Sequence, residues 1–216
     1  MNLVGSSSGV DSSRFFQGLD PATKTLVTLA FDQFSRNIAS NPIHTVSIIG
    51  RAKLIADYSQ DPAAYELALN DLMTVLTTTY DKAAFLLRCK IHEKRQNYPH
   101  MLIDSSAGLG MNIYRNDPEL LLFHARGYMN CQSVELRGKT YTDRAIEDLT
   151  TALQQNPSNP HEYYLLRAQA YFKKNQFDKA CVDVTKVLIK FPQHPEALAL
   201  FQSIDQKITE DSKSSS

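Results

Sequence analysis

The chain has 216 residues, 43% of them hydrophobic and 21% charged, with 23 Lys and Arg set against 23 Asp and Glu. This composition suits a folded chain with a sizeable core and excludes wholesale disorder. A formal net charge of zero leaves no global field to draw nucleic acid or an anionic membrane, and no apolar run approaches the roughly 18 residues a spanning helix needs.

Residues 1–13 and 210–216 are Ser-rich, lack apolar periodicity and are predicted to be disordered tails. The opening MNLVGSSSGVDSS has neither the basic region nor the apolar stretch of a secretion signal, so a cytoplasmic setting is expected. Cys89, Cys131 and Cys181 form no CxxC and sit in apolar stretches, which predicts reduced thiols that pack as small hydrophobes. Within residues 14–43, Pro21 to Ile38 carries Leu26, Leu29, Phe31, Phe34 and Ile38, a helix expected to cap the first repeat.

From residue 44 the chain repeats itself. An apolar residue, two spacers, Arg and a small residue recur around Arg51, Arg88, Arg126 and Arg167, at intervals of about 40 residues. Each is followed by a second block: Ala68 to Leu72, Met101 to Ser105, Ala145 to Leu149 and Ala180 to Val184. Apolar positions in these blocks fall on one face of a helix. Asn41-Pro42, Asp61-Pro62, Asp117-Pro118, Asn159-Pro160 and His194-Pro195 place Pro at predicted helix starts, and Asp81 is a further cap. The pattern predicts four antiparallel helical hairpins, over about 44–80, 81–117, 118–158 and 161–194. A last amphipathic helix over 195–209 carries Leu198, Phe201, Ile204 and Ile208 to close the open end.

This arrangement resembles the tetratricopeptide repeat. The clearest copy runs from His161 to His194, close to that family's period of about 34 residues. Tyr164, Ala168, Tyr171, Ala180, Val187 and Pro192 stand at its aromatic, small and Pro positions. The third copy is recognisable through Arg126-Gly127 and Ala145 to Ala152, whereas the first two are degenerate. The resemblance implies an all-α, right-handed α-solenoid of about four such hairpins with a capping helix at each end. The first and third copies are stretched between their paired helices, the longer insert lying within Asn130 to Tyr141. In Ser105 to Gly110 the glycines resemble a phosphate loop, but no strand precedes them and no Lys-Ser/Thr follows. Gly108 is expected instead to let two helices approach closely, and Gly110 to end a helix.

Arg on each first helix and Asp on each second suggest a repeated guanidinium–carboxylate link. The expected pairs are Arg51–Asp71, Arg88–Asp104, Arg126–Asp148 and Arg167–Asp183, all structural. The resemblance further implies that the first helices line a partner-binding groove. Carried across, its candidate residues are Lys53, Lys90, Lys94, Leu121, His124, Tyr128, Leu165, Gln169 and Phe172, with Cys131 and Gln132 also at groove positions. The expected function is a scaffold or adaptor that binds a peptide or segment of another protein. The alternative is a dedicated chaperone holding a partner's apolar segment. An enzyme or enzyme regulator is a weaker fit, because the six histidines are scattered and no GxSxG occurs, so no catalytic residue, metal or cofactor is assigned.

Overall fold

The computed structural model describes residues 12–131 and 138–214, with side chains followed to residue 210. Among the described residues every regular element is helical: short 3-10 turns at Ser12–Phe16 and Asn112–Tyr114, and ten α-helices. These are α1 (Pro21–Ser40), α2 (Thr45–Tyr58), α3 (Pro62–Leu76), α4 (Lys82–Lys94) and α5 (Tyr98–Gly110). They continue with α6 (Pro118–Asn130), α7 (Tyr141–Gln154), α8 (Pro160–Lys173), α9 (Phe177–Lys190) and α10 (Pro195–Ser214).

Local chemistry sets most of the starts. The carboxylates of Asp20, Asp61, Asp81 and Asp117 accept backbone N–H groups at the heads of α1, α3, α4 and α6, at 2.7–3.3 Å. Each satisfies donors that the first helical turn leaves without intrahelical partners. Thr140 and Asp143 exchange side-chain and backbone hydrogen bonds ahead of α7, forming a capping box. Two starts differ from expectation. Pro42 lies in a turn, and α2 begins at Thr45 with His44 Nδ1 accepting the Ser47 N–H at 3.3 Å. Asn159 makes no side-chain cap bond, so Pro160 alone marks the head of α8. Gln96, Asn156 and Asn175 take positive φ values of 50 to 55° two residues beyond α4, α7 and α8, the left-handed step that ends a helix, and Tyr80 takes φ 50° at the end of the turn that follows α3.

The chain divides into two compact units, Met1–Arg95 and Gln96–Ser216, so α4 and α5 of the second expected hairpin fall in different units. In the first unit Ile48, Ala52 and Ile55 of α2 meet Ala68, Leu72 and Val75 of α3, with Val27 and Phe31 of α1 against them. The segment before α1 is not a tail from Ser12 onward. Phe15 and Phe16 set their edges on Phe31, with ring centroids 5.8 and 5.7 Å apart, and Ser12 Oγ donates to Asp32 at 2.7 Å. The buried Ser59 hydroxyl fastens that segment by donating to the Phe15 carbonyl at 2.6 Å.

In the second unit Leu121, Leu122, Ala125 and Met129 of α6 pack with Ala145, Leu149 and Ala152 of α7. Leu165 and Ala168 of α8, Ala180, Val184 and Val187 of α9, and Ala197 and Ile204 of α10 form the next cluster. Gly127 sits against Leu102 so closely that a Cβ there would stand 2.7 Å from its side chain. At the other end α10 runs to Ser214, past the expected limit at 209.

Candidate partner-binding faces

Arg51 and Arg167 sit at equivalent places on α2 and α8. Arg51 donates Nε and Nη2 to both oxygens of Asp71 on α3, each at 2.8 Å, and Nη1 to Ser35 Oγ on α1 at 3.1 Å. Arg167 repeats this, reaching Asp183 on α9 at 2.7 and 2.9 Å and Thr150 Oγ1 on α7 at 3.0 Å. Each guanidinium therefore ties three helices, and the link to the preceding hydroxyl has no signature in the residue pattern. Burial pushes the Asp71 carboxyl above its ordinary range although Arg51 opposes it.

The third hairpin departs from the expected Arg126–Asp148 pair. Asp148 accepts from His124 Nδ1 at 2.8 Å, while Arg126 Nη2 donates to Glu162 on α8 at 3.0 Å. Residues two apart on a helix point about 200° apart, so α6 turns His124 toward α7 and Arg126 toward α8. For the second hairpin, Arg88 in the first unit donates Nη1 to the Leu69 carbonyl at 3.3 Å, and Asp104 in the second unit is buried.

On the other side of the ring, His124 Nε2 stands 3.0 Å from Ser106 Oγ. A Ser–His–carboxylate order is that of an activated nucleophile. Ser106, however, lies inside α5, where the neighbouring backbone N–H groups serve the helix ladder rather than a developing oxyanion. Ser105 likewise bonds the Met101 carbonyl within α5 at 2.7 Å, so the Gly-rich stretch is helix and not a phosphate cradle.

In the first unit α2 and α4 place three of the expected groove lysines around one aspartate. Lys90 Nζ lies 2.6 Å from Asp57 Oδ1, Lys94 Nζ lies 3.4 Å from the Asp57 carbonyl, and Lys53 is exposed one turn before Asp57. Burial, and then the neighbouring Lys90 charge, hold the Lys94 amine below its ordinary range.

In the second unit the candidates separate. Leu121 is buried in the α6–α7 core, which corrects its expected place on an open surface, and Leu165 is buried at the floor of a cleft. Tyr128 lies between His124 and Tyr141 with its ring tilted to both, centroids 4.5 and 4.9 Å apart, and Phe172 packs on Phe177 at 5.6 Å. Gln169 lines a cleft of about 270 Å³ with Arg126, His161, Glu162, Leu165, Leu166, His194 and Glu196. Cys131 ends α6, whereas Gln132 and the centre of the insert, 132–137, lie outside the described residues. Among the described residues no three His, Cys, Asp or Glu side chains are grouped to hold a metal ion, and no helix is long and apolar enough to cross a membrane.

Alternating helices, joined by these links and capped by α10, define the fold of a tetratricopeptide-repeat protein, and comparison with solved structures gives the same result. YrrB, described as a TPR protein with an unusual peptide-binding site, superposes with a TM-score of 0.60 at 15% identity, covering 82% of this chain and 84% of that one. TTC0263 of Thermus thermophilus gives 0.56 at 16% identity, covering 85% and 92%. A tetratricopeptide repeat protein of Parabacteroides merdae gives 0.55 at 17%, covering 85% and 66%. No known family profile matches the chain. In sequence, 156 residues are 27% identical to human prolyl 3-hydroxylase 2, covering 72% of this chain but only 20% of that protein.

Proposed function

We propose that this chain is a protein-interaction scaffold or adaptor that binds a peptide or segment of a partner protein on the faces of its first helices. The observation that carries this reading is the arrangement of α2 and α4. Their backs are sunk in the core, while Lys53, Lys90 and Lys94 stand together at the surface with Asp57 among them. Such a face, mixed in polarity and held on rigid helices, suits an extended or helical segment with an acidic group. The peptide-binding site described for YrrB supports the reading, since it puts the same fold to that use. The proposal includes a cytoplasmic setting, in keeping with an odd number of cysteines and no CxxC spacing among them.

The test is capture of partners by the whole chain, compared with the variant Lys53→Glu/Lys90→Glu/Lys94→Glu. A specific partner should bind the parent chain and be lost from the variant at unchanged helicity. Retention of every partner by the variant would overturn the assignment of this face. A second reading, a chaperone that holds an apolar segment, draws on Ile43 and Val46, 68% and 72% exposed at the head of α2. It requires that the partner lose solubility when expressed without this chain.

A further inference from the structure

We infer that the cleft between α6, α8 and α10 is a pocket for a cationic side chain, an arginine or lysine presented by the bound peptide. The inference rests on the peptide-binding reading above and adds the chemistry of one subsite. The cleft has about 270 Å³, room for one long side chain rather than a cofactor. All its walls belong to one compact unit. Leu165 and Leu166 supply an apolar floor for an alkyl stem, as long basic side chains prefer. Carboxylates stand on two sides, Glu162 from the first turn of α8 and Glu196 from the first turn of α10.

The charges do not cancel. Arg126 is the single permanent cation of the lining, and its Nη2 is already engaged with Glu162 Oε2 at 3.0 Å. Glu196 is exposed and has no ion-pair partner among the described residues. Two histidine rings complete the lining. His194 Nδ1 accepts the Ala197 N–H at 3.4 Å. His161 Nδ1 is buried without a hydrogen-bond partner among the described residues, its ring against Phe191 at 4.7 Å. Gln169 adds a side-chain carbonyl able to accept from a guanidinium or ammonium.

Neighbouring groups deepen the negative field. Tyr163, beside this edge on α8, has its phenol pushed up to about 12, first by burial and then by Glu119, Glu162 and Asp117, with Arg126 alone opposing. An incoming anion would meet this field unfavourably, whereas a cation would pair with Glu196. A cation completes the set.

The experiment selects peptides from a random phage-displayed library on the whole chain. The best binder is then measured by fluorescence polarisation against the parent, Glu196→Gln and Glu162→Gln, with thermal melts as the folding control. Selected peptides should be enriched in Arg or Lys at one position. Replacing that residue by Ala, or Glu196 by Gln, should each weaken binding roughly three- to tenfold, the size of a partly exposed ion pair, and the two losses should not add. Failure to select any peptide would sink the peptide-binding reading itself. Binders with no basic bias, or with affinity unchanged in both glutamine variants at an unchanged melting temperature, would overturn the cationic pocket and leave the broader reading standing.

Discussion

At the scale of single residues, Arg167 and Arg126 make contrasting tests because they use the same side chain in different surroundings. Asp183 is 2% exposed and Arg167 13%, so Arg167→Ala takes the two-pronged guanidinium from a buried carboxylate and leaves it only the Lys186 ammonium at 3.5 Å. A loss of about 3–5 kcal/mol of unfolding free energy is expected by denaturant titration. The partner of Arg126, Glu162, is 46% exposed, and breaking that pair is expected to cost about 1 kcal/mol or less. Asp143 offers a test in pH. Its hydrogen bonds from Lys174, then from Thr140, lower its carboxyl from 3.8 to about 2 in the folded chain. A depressed folded value means that the unfolded chain takes up the proton first. The stabilisation is therefore complete above about pH 4 and disappears as pH falls through about 2. The stability gap between the parent and Asp143→Asn should thus be full at about pH 5 and close in that acid range. A gap that widened on acidification would contradict the assignment.

At the scale of helices, start signals were legible where an acidic cap lies within three residues of the donors it serves. Asp61, Asp81 and Asp117 each bond N–H groups two or three positions ahead, which a linear reading can detect. His44 and His194 perform the same task through Nδ1 but are not legible as caps, because imidazole is an uncommon capping group. The left-handed residues after α3, α4, α7 and α8 include a tyrosine, the least suited of the four to positive φ. Tyr80 has φ 50° and is 55% exposed, so it gives up little packing when replaced. Tyr80→Gly is expected to stabilise the chain by about 1 kcal/mol in thermal or chemical unfolding, through relief of backbone strain. Destabilisation would mean that the ring contributes more than its exposure suggests.

For the molecule as a whole, α10 closes the last apolar cluster. Ala197 and Ile204 are buried against α8 and α9, beside Val184 and Val187. Ending the chain at His194 would expose that cluster, so a lower melting temperature and binding of an apolar dye are expected. A truncated chain that melts as the parent does would show that α10 is not a structural cap. The hairpin pattern and its all-helical character followed from periodicity and turn chemistry, since both operate over a few neighbouring residues. The division between Arg95 and Gln96, within the second expected hairpin, did not, because no Pro- or Gly-rich linker marks it.

Helix type, most capping residues and the buried stripe of each helix were encoded locally, in interactions spanning about one turn, and so could be read in order along the chain. Folding alone decided which distant groups met: His124 rather than Arg126 for Asp148, Phe15 and Phe16 for Phe31, and Glu162 with Glu196 around one cleft. Such partners are chosen by helix rotation, side-chain reach and competition for a few buried donors. Those quantities exist only once the helices have packed.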